Sequence, residues 1–334
     1  MISGGAGFVG SAVARRATSL GHTVFNIDRK NEASVAPQLK QAQLSGRYSQ
    51  VIANVSDATM LAALMREYKP DAVIHCAGGA SLEKGELSTG GLAATLGVLE
   101  AVSMYLGSAG AEIKDKFRLV LPFRASALGG LEADEDAFDE TMMLSPTCRE
   151  GALEAAGLTM AQGWQDEFDL PTVYAGASIL YGPWQNKDAL IPALTRTALS
   201  GAPIAPAFPN ETQDWLHVDD FASGLIAAAE LGDVRENFLF SASGVRRNFE
   251  IAQMVCKILD GKRPRADGGS YADQVRFNKD ETQALKCALS PAAAENRLGW
   301  APEHQLLMGL ATTVGWLLDN MPPQPRANAP VAAE

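Results

Sequence analysis

Three glycines at a spacing of three, Gly4, Gly7 and Gly10, run directly into an apolar helical stretch from Ser11 to Leu20. Glycine lets backbone approach a pyrophosphate closely, and the unpaired N–H groups of a helix N-terminus attract that anion. Phe8 and Val9 lie inside the same turn. His22–Asp28 then reads as a strand ending in a carboxylate, placed to accept both hydroxyls of a ribose. That carboxylate favours NAD, while Arg29 beside it leaves NADP as the weaker expectation.

The remaining reactive residues form no comparable pattern. Cys76, Cys148, Cys256 and Cys287 lie far apart without a CxxC pair, so reduced structural thiols are expected. Four scattered histidines complete no metal-ligand set, and the expected metal is none. His75 ends an apolar strand and reads as a satisfied core histidine; His217 reads as structural. The acidic stretch Leu131–Glu140 matches no calcium loop and reads as an exposed loop.

These residues need a scaffold of alternating elements. Strand patterns at Tyr48–Val55, Asp71–Ala77, Phe117–Leu121 and Pro171–Ala177 alternate with helical patterns at Ala58–Tyr68, Leu87–Leu106 and Ser145–Phe168. Such alternation demands an α/β fold with a doubly wound, mainly parallel sheet. Further helices are expected over Phe221–Leu231, Phe249–Leu259 and Leu306–Asp319. Only Met1 and Ile2 precede the glycine turn, whereas a strand averages about five residues. Either upstream residues are missing from this chain or the first strand is unusually short.

The 334 residues are 47% hydrophobic and 20% charged, which is globular composition and excludes disordered and collagen-like classes. A net charge of -11 disfavours nucleic acid and an anionic membrane surface as partners. No apolar run reaches the roughly 18 residues of a bilayer span, and no secretory signal pattern opens the chain. The expected setting is soluble and reducing, in the cytoplasm or an organelle interior.

Taken together, Gly4–Gly10, Lys69–His75, Tyr181-Gly182-Pro183-Trp184-Gln185, Asp214–Asp220 and Leu298-Gly299-Trp300-Ala301-Pro302 resemble the extended short-chain dehydrogenase/reductase family. The nearest pattern is its NAD-dependent epimerase/dehydratase branch, most like dTDP-glucose 4,6-dehydratase. The resemblance runs from Met1 to about Asn320. It implies a Rossmann-like domain over 1–177 and a smaller C-terminal α/β substrate lobe over 178–320. Some lobe segments return to the first domain, and a Pro/Ala-rich tail follows over 321–334. It also implies that Asn54, standing where the family has an adenine-side aspartate, joins Val55 and Ala77 in the cofactor set.

The same resemblance exposes replacements. The family's Tyr-x-x-x-Lys pair moves the proton as hydride leaves, the lysine and the cofactor's charge lowering the tyrosine pKa. Here Thr147 takes the tyrosine position and Gly151 the lysine position. Arg124 replaces a substrate-binding hydroxyl, and Ala125 and Ser126 replace the two dehydratase acids. Gly91 stands for a helix asparagine, Ile179-Leu180 for Asn-Asn, and Asp280–Ala284 for a segment whose arginine holds a diphosphate. Arg124 has two open partners, a substrate phosphate or Glu150. Tyr181 and Lys187 are the candidates for replacement acid–base chemistry.

The expected function is therefore an NAD(P)-binding member of this family without catalysis, a structural or regulatory subunit of a larger assembly. The alternative is an active nucleotide-sugar epimerase or 4,6-dehydratase with relocated acid–base residues. A third is an oxidoreductase for another small substrate. A nucleotide sugar is a possible ligand on the second reading. The family pattern implies dimerisation through the helices at Leu87–Leu106 and Ser145–Phe168, so a homodimer is expected, with a hetero-assembly as its rival.

Overall fold

Strands that are apolar on both sides have to be covered on both sides, which calls for helices on each face of a parallel sheet. In the computed structural model, residues 1–29, 36–78, 82–83, 86–87, 90–132, 134–206, 208–276 and 285–321 are described. The chain begins β1 (Ile2–Ser3), α1 (Phe8–Ser19), β2 (Val24–Asp28), α2 (Ala36–Leu44), β3 (Tyr48–Ile52), α3 (Ala58–Tyr68) and β4 (Ala72–His75). A small hairpin, β5 (Leu82–Glu83) and β6 (Glu86–Leu87), leads to α4 (Gly90–Gly107) and α5 (Ala111–Lys116). Next come β7 (Arg118–Arg124), α6 (Arg149–Phe168), β8 (Thr172–Ala177), β9 (Ile179–Tyr181), α7 (Leu190–Ser200), β10 (Thr212–His217) and α8 (Val218–Leu231). The last elements are β11 (Asn237–Phe240), β12 (Val245–Arg247), α9 (Asn248–Lys262), β13 (Lys286–Cys287), α10 (Ala292–Leu298) and α11 (Leu306–Asn320).

Seven strands form one sheet in the order β11-β8-β7-β4-β1-β2-β3, every neighbouring pair parallel. This is the Rossmann-like doubly wound α/β arrangement. One face is covered by α3, α4 and α6, burying Leu61, Val98, Val102 and Leu119. The other is covered by α1 and α8, burying Val13, Val120, Leu225 and Phe240. Each such side chain contributes about 1.5–3 kcal/mol of burial. In this chain β1 has two residues, Ile2 set between Asn26 and Ile74, Ser3 between Ile27 and His75.

A second sheet joins β12, β10 and β13, with β9 paired alongside β10. Helices α7, α9 and α11 pack around it through Leu194, Ile251, Val255, Leu310 and Val314. Between these segments β11 and α8 return to the large sheet, β11 against β8 and α8 against α1.

One carboxylate ties the two parts. Asp220, on α8 and 2% exposed, accepts from the backbone N–H groups of Glu303 and His304 at 3.1 Å each. Its Oδ1 also lies 2.7 Å from His304 Nδ1. Trp300 Nε1 donates to the Asp220 carbonyl at 3.1 Å. His304 in turn stacks on buried His217, with ring centroids 4.0 Å apart.

Several expectations are corrected. The helix over Ser145–Phe168 starts only at Arg149, because Pro146 keeps Ser145 extended and the Cys148 thiol caps the first turn from outside it. The stretch Leu131–Glu140 is not simply exposed: Leu131 and Phe138 are buried, and bridge to Lys286 and Leu289. Against the expectation of no bilayer-length run, α4 is long and apolar enough to cross a membrane by length and composition. Its buried side carries Val98, Leu99 and Val102 in the core, a pattern that core helices share. The tail from residue 322 and the segment Asp280–Ala284 lie outside the described residues.

The Asp220–His304 bond raises the His304 pKa above its ordinary value near 6.5. A raised folded pKa gives stabilisation that is complete below the unfolded pKa and lost as pH rises through the folded one. Chemical unfolding should therefore show a His304→Gln penalty at pH 6 that shrinks by pH 9. An Asp220→Ala variant, which also orphans two N–H groups, is expected to cost about 3 kcal/mol at pH 6.

Candidate functional site

The carboxyl ends of β1, β2 and β4 meet at the glycine turn. Gly4 adopts φ +74°, a left-handed conformation natural to glycine, and a Cβ there would lie 2.7 Å from the Ala77 Cα. A Cβ on Gly10 would lie 2.3 Å from the Gly4 carbonyl oxygen. Gly7 is the N-cap of α1, and the first intrahelical bond runs from Ser11 N to Gly7 O at 3.0 Å. Helix geometry thus leaves the N–H groups of Phe8, Val9 and Gly10 without intrahelical acceptors.

The structure brings Gly4, Gly7, Phe8, Val9, Gly10, Asp28 and Ala77 to this edge. Asp28 Oδ2 accepts from Ala6 N at 3.0 Å, which orients the carboxylate against the turn. Arg29 is exposed beside it. Ala53 N donates to the Asp28 carbonyl at 2.9 Å, so Asn54 and Val55 follow immediately. The Asn54 side chain bonds to Ser56 Oγ at 2.7 Å, and Val55 is buried.

Asn26 was not singled out in the sequence. Fully buried, it accepts from Gly5 N at 2.7 Å and donates to the Tyr48 hydroxyl at 3.0 Å. A polar residue on an inward-facing position of an otherwise apolar strand was the available signal.

Beyond the turn lies a cleft of about 630 Å³ between the large sheet and the second sheet. Phe8, Val9, His75 and Ala77 line one wall; Ile179, Leu180, Gln213 and Trp215 line the other. His75 is buried, with Nδ1 2.6 Å from Ser3 Oγ and Nε2 3.2 Å from Thr95 Oγ1. Burial lowers its pKa to about 4 and pushes the Cys76 thiol up to about 12. Tyr181 is fully buried, its pKa raised by desolvation and then by Asp220. Lys187 is exposed. Burial thus moves His75, Cys76 and Tyr181 away from proton exchange near neutral pH.

The replaced positions are equally specific. Thr147 is exposed in the segment before α6. A Cβ on Gly151 would stand 2.1 Å from the Ser126 carbonyl oxygen, and one on Gly91 2.0 Å from that of Gly78. Arg124 pairs with Glu154, its Nη2 3.0 Å and Nε 3.1 Å from Oε1. All four cysteines are free.

The histidines do come together in one place that spacing did not anticipate. Ligand atoms of His217, Asp219 and His304 lie within 4.8 Å of one another. Arg15 Nη2 lies 3.0 Å from Asp219, and the two histidine rings stack face to face.

Residues 1–239 match the sequence pattern of the NAD dependent epimerase/dehydratase family. The chain belongs to that family. It is 30% identical over 331 residues to a dTDP-glucose 4,6-dehydratase of Neisseria gonorrhoeae, covering 96% of this chain and 95% of the relative. A counterpart from Salmonella typhimurium is 27% identical over 337 residues, covering 96% and 92%. Among solved structures, the fold is similar to dTDP-glucose 4,6-dehydratase from Bacillus anthracis in complex with NAD, with a TM-score of 0.80, 21% identity and 96% of each chain covered. It is also similar to UDP-glucuronic acid 4-epimerase from Bacillus cereus, with a TM-score of 0.78, 19% identity and coverage of 95% and 98%. The glycine cradle of this epimerase/dehydratase member, closed to a Cβ at Gly4 and Gly10 and flanked by Asp28, fits a dinucleotide.

Replacing Asn26 with Leu removes both bonds while nearly keeping volume, and leaves Gly5 N unpaired. A loss of about 1–3 kcal/mol is expected, measured as a lowered urea midpoint without a change in slope.

Proposed function

We propose that this chain holds an NAD-type dinucleotide in the glycine turn and acts as a structural or regulatory subunit. It lacks the acid–base pair that its family uses for turnover. Gly4, Gly7, Phe8, Val9 and Gly10 surround the pyrophosphate with backbone, and Asp28 receives the ribose; Arg29, Asn54, Val55 and Ala77 complete the surround. Bound NAD supplies a two-electron acceptor. The accompanying proton would need a taker, and His75, Cys76 and Tyr181 are each shifted away from that work by burial. The observation that carries the reading is the contact of Gly151 with Ser126, which leaves no room for the activating lysine.

A second reading is an active nucleotide-sugar epimerase or 4,6-dehydratase with relocated acid–base residues. Likeness to dTDP-glucose 4,6-dehydratases across 96% of the chain favours it, as does the intact cleft. The comparisons weigh toward this second reading and the local geometry toward the first. For partners, we propose a homodimer along the α4–α6 face, where Leu96 and Met104 are exposed, with a hetero-assembly as the rival.

Gentle purification, denaturation and mass spectrometry of released small molecules should yield NAD(H). Incubation with dTDP-glucose or UDP-glucose should yield no new sugar product; turnover would establish the second reading. Neither should the Thr147→Tyr/Gly151→Lys double variant gain activity. Crowding at residue 151 is expected to cost it about 1–3 kcal/mol or more in unfolding experiments.

A further inference from the structure

A second cavity, of about 570 Å³, is walled by β7, β8, β11, α6 and the segment that joins β7 to α6. Among the described residues, Phe123 is the only lining side chain it shares with the cleft. Leu128, Met142 and Leu158 give it an apolar wall. Tyr174 on β8 and Asn237 on β11 are register partners, so their side chains stand side by side on one face of the sheet. The Tyr174 hydroxyl gives its hydrogen to Gln165 Oε1 at 3.2 Å, and buried Gln165 is held in turn by the Thr172 carbonyl, 3.3 Å from its Nε2. The phenol oxygen is thereby left as an acceptor. Asn237 Oδ1 is buried and takes no donor, which is uncommon for a buried polar atom.

Glu140 brings a charge to the same place. Its Oε1 meets Leu239 N at 3.4 Å, and Leu239 stands two residues from Asn237 on the same face of β11. Asp166, also on the cavity wall, is neutralised by Arg235 at 2.6 Å, and both side chains are more than half exposed. Among the described residues Glu140 forms no such ion pair. Burial, and then Asp139, raise its pKa above the ordinary value, as expected for a half-buried carboxylate with no cation beside it.

We propose that this cavity is a second ligand site, for a small organic ammonium with a short apolar tail. Glu140 takes the charge, Asn237 Oδ1 and the Tyr174 oxygen accept from the remaining N–H groups, and the tail lies against Leu128, Met142 and Leu158. An ammonium carries three donors and no acceptor, which suits three acceptors set together. An alcohol has one donor and no charge, and an anion would face Glu140 with its counter-charge already engaged. Methionine adapts to varied apolar shapes, including aromatic ones, so the wall tolerates a ring. The site stands apart from the glycine turn and depends on neither reading of the cleft.

Phenethylamine, 2-phenylethanol and phenylacetate share an apolar ring and differ in a cationic, neutral or anionic head. Calorimetry on the full chain at neutral pH should show phenethylamine binding about 10–100-fold more tightly than 2-phenylethanol, the range for charge-assisted hydrogen bonds, and phenylacetate more weakly than either. Glu140→Gln keeps an acceptor for Leu239 N but removes the charge, and should bring phenethylamine within about three-fold of 2-phenylethanol. Asn237→Leu gives up an oxygen that has no partner, so the fold should tolerate it, while phenethylamine binding weakens about ten-fold. Near-UV circular dichroism checks that each variant is folded.

Equal binding of phenethylamine and 2-phenylethanol to the unaltered chain, or no binding of phenethylamine, overturns the proposal. So does an amine preference that survives Glu140→Gln. Should that variant not fold, phenethylamine affinity left unchanged by Asn237→Leu overturns it instead. NAD(H) release tests the glycine turn by a separate readout, so failure of this site and failure of the dinucleotide reading are told apart.

Discussion

The architecture of this edge of the sheet depends on backbone lying directly against backbone. Gly10 meets the Gly4 carbonyl, Gly91 meets Gly78, and Gly151 meets Ser126, each at a distance that excludes a β-carbon. These contacts seat α1, α4 and α6 at their N-termini, the ends that face the cleft. The first contact has a plain use, since a tight turn opens unpaired N–H groups to an anion. The other two occupy space that the family pattern assigns to side chains. One constraint therefore both builds the glycine turn and closes the positions beside it.

Polar groups around the cradle are arranged to hold shape. Asn26 and Asp28 both bond to the turn's own N–H groups, and His75 is bracketed by Ser3 and Thr95. Desolvation keeps His75 neutral down to about pH 4 and Cys76 protonated up to about pH 12. These groups behave as fixed dipoles across the physiological range. Arg124 and Glu154 form the charged pair on the cleft wall, and they come from β7 and α6.

Much of this was legible in the sequence because it rests on local rules. Gly4, Gly7, Gly10 and Asp28 carry a turn and a strand end within 28 residues, and Ala58–Tyr68 matches α3 at both ends. Asp57 caps that helix and Lys69 ends it just before Pro70. What spacing could not reveal came from pairings distant in the chain. Arg124 and Glu154 are separated by 30 residues, and Asp220 and His304 by 84. The helices α2 and α7 went unread; α2 has only a weak apolar stripe, and α7 carries Pro192 in its first turn. The histidine cluster escaped for the same reason as the Asp220 tie: its members meet only after α8 and the segment before α11 have docked.

The position of β11 has a consequence for how this chain can be divided. That strand comes from the second half of the sequence, yet it forms the outer edge of the large sheet and covers β8, which is buried along its whole length. A fragment ending at residue 177 would present the β8 edge and its apolar neighbours to solvent, without α8 over the opposite face. Such an edge recruits other strands and favours aggregation. The two halves are thus not modules that could be exchanged or expressed separately; the later half finishes the earlier one, and insertions or fusions belong outside the span from β8 to β11.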